Sequence, residues 1–129
     1  MDKKVVLLVE DNVDNRLVYA TILRHHGFTV IEAENGVRGV ELAREVQPDA
    51  ILMDISLPLL DGWRATEMIK SDPVTAGIPV VALTAHALIQ DEERARAVGC
   101  DGYLTKPCDP SRVLGELNRV IGTTTAHAE

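Results

Sequence analysis

Cysteine, positive charge and long apolar runs are all scarce in this chain of 129 residues. The only two cysteines, Cys100 and Cys108, lack metal-site spacing, and the chain begins Met-Asp-Lys-Lys with no apolar leader to direct export. Reduced thiols and a cytoplasmic location are therefore expected. Lys and Arg number 13 against 20 Asp and Glu, and the resulting net charge of -7 repels a phosphate backbone. Nucleic-acid binding by the body of the protein is disfavoured, and a basic partner surface suits it better. No apolar stretch approaches the roughly 20 residues that a membrane helix needs, because charges and turn residues interrupt every run. Repeats, low-complexity tracts and internal linkers are missing too, which leaves no room for a separate output domain.

What is present is a set of short runs that are apolar on every side. With 46% hydrophobic residues the chain can bury one core of ordinary domain size. Strands are predicted near Lys4 to Val9, Thr29 to Ala33, Ala50 to Met53, Val80 to Leu83 and Gly102 to Thr105. Runs of this kind, alternating with helical patterns, read as strands of a parallel sheet covered on both faces. Right-handed crossovers then give an α/β, doubly wound, five-stranded sheet with five helices.

The first helix is expected to turn Leu17, Val18, Ile22 and Leu23 inward and to stop at Gly27. The second carries Val37, Val40, Leu42 and Val46 and stops before Pro48. Asp61-Gly62 opens a third, marked by Trp63, Met68 and Ile69. Leu88, Ile89, Ala95 and Val98 mark a fourth that ends at Gly99, and Asp109-Pro110-Ser111 opens a fifth. The domain is expected to span residues 1–121, with an unstructured polar tail at 122–129.

Glu10 and Asp11 close the first strand run, Asp54 the third, Thr84 the fourth and Lys106 the fifth. An acidic residue after a strand is often only a loop cap, so one such position says little. Together they fall at the carboxyl ends of strands, where ligands bind in open α/β sheets. Two unit charges about 4 Å apart at an effective dielectric of about 20 repel by roughly 4 kcal/mol, so three neighbouring carboxylates call for a bound cation or a retained proton. Carboxylates without nearby His or Cys ligands suit Mg2+ or Mn2+ better than zinc. A carboxylate beside such an ion can act as a nucleophile toward phosphorus, making Asp54 a candidate aspartyl phosphate. Lys106 offers a point charge and Thr84 a hydroxyl donor to phosphoryl oxygens.

Val9-Glu10-Asp11-Asn12, Leu52-Met53-Asp54-Ile55, Leu57-Pro58, Asp61-Gly62, Leu83-Thr84-Ala85 and Tyr103-Leu104-Thr105-Lys106-Pro107 occur in the order and spacing of one family. The chain resembles bacterial two-component response-regulator receiver domains over nearly its whole length. Asn12 to Arg16 and Thr84-Ala85-His86-Ala87 are similar to single-domain regulators of the DivK type and to receivers of hybrid histidine kinases. The resemblance implies a flavodoxin-like fold with strand order 2-1-3-4-5, as in the chemotaxis regulator CheY. It implies Asp54 as phosphoacceptor, with Asp11 binding Mg2+ directly, Glu10 through water and Ser56 through its backbone carbonyl. Glu10 stands where the family commonly has aspartate, which bears on metal affinity.

The resemblance further implies that Thr84 and Lys106 hold the phosphoryl group and that the Lys106-Pro107 bond is cis. By the same resemblance, Ser56 and His86 would flank the path of attacking water. Phosphorylation would draw Thr84 inward, and the ring of Tyr103 would fill the space behind it. A histidine kinase or histidine phosphotransfer protein is the implied donor. A downstream protein would bind the face around Ala87 to Val98, Tyr103 and the last helix.

His25 and His26 suit the dipole at a helix end and need no phosphohistidine role. A magnesium-dependent phosphohydrolase would need a second acid where Ser56 stands and a cap over its substrate. The switch is therefore the preferred reading, with a receiver excised from a hybrid kinase as the remaining alternative.

Overall fold

The computed structural model describes residues 3–55, 57, 60–85, 89–106 and 108–128, with side chains left out at 89 and 123–128. Five strands alternate with five helices: β1 (Val5–Val9), α1 (Val13–His25), β2 (Thr29–Ala33), α2 (Gly36–Val46), β3 (Ala50–Asp54), α3 (Gly62–Ser71), β4 (Val80–Thr84), α4 (Ile89–Ala97), β5 (Gly102–Thr105) and α5 (Pro110–Ala128). All pairings are parallel, in the order β2-β1-β3-β4-β5. Each predicted strand is present, with Asp54 and Thr84 included as the last residues of β3 and β4.

Side-chain alternation divides the core into two layers. Leu7, Val9, Ile51, Met53, Val80 and Ala82 pack toward α2, α3 and α4, among Leu42, Trp63, Ile69 and Ala95. Val6, Leu8, Ala50, Leu52, Val81 and Leu83 pack toward α1 and α5, among Ala20, Leu23, Val113, Leu117 and Val120. β3 and β4 are buried at every position, which is why they read as continuous apolar runs.

Helix starts follow their caps. Asn12, Asn35 and Asp61 accept hydrogen bonds from the backbone N–H groups of Asn15, Arg38 and Arg64, which would otherwise lack a helical partner. Gly27, at φ +93°, follows α1 in a left-handed conformation that a side chain would strain.

Two expectations need correction. In α1, Leu17 and Val18 are 62% and 54% exposed, while Ala20 and Leu23 are buried. The helix is rotated so that Arg16 and Tyr19, whose polar ends reach acceptors or solvent, flank the core instead. Hydrophobicity alone misjudged the face because long amphipathic side chains also cover apolar surface. The polar end beyond Gly122, expected to be unstructured, continues α5 as helix through Ala128. Once a helix is nucleated each added residue gains a hydrogen bond, so propagation can carry a run of poor helix formers.

Candidate functional site

Register brings the acidic residues together. Val9 pairs with Met53, so the next positions on these strands, Glu10 and Asp54, fall side by side beyond the last rung. Thr84 pairs with Thr105, and its carbonyl accepts from the Lys106 N–H at 2.7 Å. Lys106 thus leaves β5 at the level where β4 ends. Carboxylate oxygens of Glu10, Asp11 and Asp54 lie within 4.8 Å of one another. Glu10, Asp54 and Thr84 are buried, whereas Asp11 is exposed at the mouth of the cluster.

The Lys106 ammonium crosses the cluster, 3.0 Å from Glu10 Oε1 and 3.3 Å from Asp54 Oδ2. The other Glu10 oxygen, Oε2, accepts from the Asn12 N–H at 3.2 Å. Burial and the neighbouring Asp54 carboxyl push Glu10 up to about 7, against the lowering effect of Lys106. Burial works to lower the Lys106 pKa, but the Glu10 hydrogen bond and the charges of Asp54 and Glu10 outweigh it, so the ammonium is held more firmly than usual. Two unit charges about 5 Å apart at an effective dielectric of about 20 repel by roughly 3 kcal/mol, which adds to burial in raising Glu10.

The peptide backbone under the site is tightly packed. A Cβ on Gly62 would lie 2.4 Å from the Asp54 carbonyl oxygen and 2.6 Å from Ile55 Cα, and the Gly62 N–H donates to the Ile55 carbonyl at 3.0 Å. α3 therefore starts directly against the strand end that carries Asp54. Gly36 meets the Leu60 carbonyl oxygen in the same way, at 2.3 Å from an added Cβ.

Tyr103 is half-buried on β5, where burial, then the Asp91 and Glu92 charges, raise its pKa. It lines a cleft of about 180 Å³ between α4, β5 and α5, away from the acidic cluster, together with Glu92, Arg96, Glu116 and Arg119. Arg94 of α4 lies over the Trp63 ring at 5.1 Å and ties this helix to α3. The Cys100 thiol is pushed up to about 12 by burial and the Cys108 thiol is also raised by burial, so both disfavour the reactive thiolate.

Glu10, Asp11, Asp54, Thr84 and Lys106 are thus gathered at one edge of the sheet, with Tyr103 on its flank. Ser56, Pro58, His86, Ala87, Leu88 and Pro107 lie outside the described residues, and with them the expected carbonyl ligand, the water-path residues and the cis bond. Sequence reasoning missed Arg16, whose guanidinium donates to the Glu10 carbonyl at 2.9 Å. Its signal was a cation one turn inside the helix that follows the acidic pair.

A doubly wound sheet with an acidic cluster and a bonded lysine beyond its carboxyl edge defines an α/β domain of the flavodoxin-like kind with its working site at the switch between strands. Residues 6–118 match the family described as response regulator receiver domain, and the chain belongs to that family. It is 40% identical over 119 residues to the polar-differentiation response regulator DivK of Brucella anthropi, a match spanning 92% of this chain and 97% of that protein. Among solved structures, the receiver domain of a sensor histidine kinase from Pseudomonas aeruginosa PAO1, with magnesium coordinated in its active-site cleft, is 39% identical with a TM-score of 0.87. That match covers 94% of this chain and 99% of the other. The chemotaxis protein CheY4 of Vibrio cholerae is 26% identical with a TM-score of 0.87, over 92% of this chain and 99% of its own. The chain is therefore a receiver domain of two-component signalling, a family of phosphoryl-accepting switches. No helix among the described residues is long and apolar enough to cross a membrane.

Proposed function

We propose that Asp54 accepts a phosphoryl group from a histidine kinase or histidine phosphotransfer protein, and that the aspartyl phosphate changes which partner the domain binds. One observation carries this reading most: a buried Asp54 carboxylate shares the Lys106 ammonium with a second buried carboxylate at a strand end. An Asp54 oxygen attacks phosphorus as the P–N bond to the donor imidazole breaks, and the departing imidazole takes up a proton. Lys106 then exchanges its contact with Asp54 for one with a phosphoryl oxygen, and Thr84 donates its hydroxyl to another.

The donor set fits a hard divalent cation, because the oxygens of Glu10, Asp11 and Asp54 converge, and burial together with the Asp54 carboxyl raises Glu10 to about 7. Mg2+, or Mn2+ in its place, would be held by Asp11, Asp54, Glu10 and the Ser56 carbonyl. When bound it supplies charge neutralisation between the carboxylates and the incoming phosphoryl oxygens.

Output follows from the neighbouring strand. Inward movement of the Thr84 side chain opens room for the Tyr103 ring and reshapes the cleft bounded by Glu92, Arg96, Glu116 and Arg119. The downstream protein binds there, on a face formed by residues 87–98, Tyr103 and α5. The domain catalyses only its own phosphorylation and dephosphorylation, in the cytoplasm, and acts on no external substrate.

The test is intact mass after incubation with magnesium and acetyl phosphate. A labile gain of one phosphoryl group, absent from Asp54→Asn and from a chelated sample, is the expected result. An adduct that persists in Asp54→Asn would refute the reading.

A further inference from the structure

We infer that Arg16 is a positioning residue for the acidic cluster, fixing the peptide that carries Asp11 so that its carboxylate meets those of Glu10 and Asp54. The inference rests on the metal-binding reading above. The Arg16 Nη1 group donates to the Glu10 carbonyl at 2.9 Å, and its Nε lies 3.3 Å from Glu32 Oε1 on the neighbouring strand β2. Arg24 holds the other oxygen of Glu32 at 3.0 Å and also donates to the Val30 carbonyl at 3.1 Å, so the β2 side chain that braces Arg16 is itself held in place. On its other side the Glu10 residue is fixed by its N–H, which donates to the Ala33 carbonyl at 3.0 Å.

The Glu10 carbonyl and the Asp11 nitrogen belong to one rigid peptide plane. Holding that carbonyl sets where the Asp11 Cα stands, although Asp11 itself is exposed and lies beyond the last rung of the β1–β3 ladder. The fork geometry of a guanidinium lets one side chain reach the carbonyl and Glu32 together, which the single point of an ammonium cannot reproduce. Arg16 thereby acts on the cluster through the backbone and takes up none of its carboxylate oxygens.

The charge of Arg16 gives the test its sign. Electrostatics alone predicts that removing a cation near an acidic cluster tightens the binding of another cation; loss of positioning predicts that it weakens. We expect Arg16→Met to weaken magnesium binding about tenfold in calorimetric titration, the low end for loss of an outer-shell orienting contact. Glu32→Gln should give a smaller loss in the same direction, and Arg16→Lys should recover part of it. In metal-free protein, amide hydrogen exchange at Asp11 and Asn12 should quicken in Arg16→Met while the β3 and β4 amides keep their protection, which separates lost positioning from lost folding. Unchanged or tighter magnesium binding in Arg16→Met, with the parent binding normally, overturns the inference alone. A parent protein that binds no magnesium overturns the metal-binding reading and the inference with it.

Discussion

At the residue scale, Glu10 decides how the site responds to pH. Its carboxyl is raised from an ordinary 4.5 to about 7, first by burial and then by Asp54. The folded state therefore holds a proton that the unfolded state releases. Its stabilising contribution is complete below about pH 4.5 and is lost as pH rises through about 7. In metal-free buffer, urea titrations should show stability declining across this window, and Glu10→Gln should flatten the decline. Magnesium competes with the same proton, so its affinity should rise with pH over the same interval in calorimetric titrations. A magnesium affinity that falls with rising pH would contradict this assignment.

At the element scale, two glycines in helices make opposite predictions. Gly62 opens α3 against the carbonyl of Asp54, where an added Cβ would sit 2.4 Å from backbone oxygen. Backbone cannot swing aside as a flexible side chain can, so Gly62→Ala should destabilise the domain by roughly 1–3 kcal/mol despite the better helix propensity of alanine. Gly115 lies within α5 with nothing within 4 Å of an added Cβ. There Gly115→Ala should stabilise by roughly 0.5–1 kcal/mol, since only the propensity difference acts. Chemical denaturation of the pair checks both signs. Gly62→Ala should also slow phosphorylation by acetyl phosphate, because the collision falls on the peptide of Asp54, whereas Gly115→Ala should not.

Elements also show what a sequence discloses. β3 and β4 were plain because both faces are buried, leaving uninterrupted apolar runs ending at Asp54 and Thr84. α1 was plain in extent but not in rotation. Its core face is completed by Arg16 and Tyr19, which pattern reading counts as polar, while Leu17 and Val18 face outward. The contact of Arg16 with the Glu10 carbonyl depends on how a helix lies over a neighbouring strand, information absent from the local sequence. Glu10, Asp11, Asp54, Thr84 and Lys106 were legible because their strand-end positions follow from chain order once the sheet is parallel. Charge crowding called for either a bound cation or a retained proton, and the raised pKa of Glu10 became apparent only once Glu10 was seen to be buried.

At the scale of the whole molecule, net charge and topology act together. A domain of net charge -7 attracts a partner that presents basic groups, and the attraction is screened by salt. Phosphotransfer from a histidine-phosphorylated donor protein should therefore slow as ionic strength rises, while phosphorylation by acetyl phosphate, an anion, should not slow in parallel. Stopped-flow or quench kinetics with the two donors separates protein docking from chemistry. Under the proposed switch, topology would carry the signal sideways, since β4 bears Thr84 and pairs with β5, whose Tyr103 borders the cleft at α4 and α5.

The central claim is that Asp54, of three converging carboxylates, forms the acyl phosphate. Borohydride reduces an acyl phosphate to an alcohol, converting aspartate to homoserine, and peptide mass mapping locates the change. After treatment with magnesium and acetyl phosphate, homoserine should appear at position 54 and disappear when magnesium is chelated. Homoserine at position 11 with Asp54 intact, or the corresponding reduction at Glu10, would contradict the account.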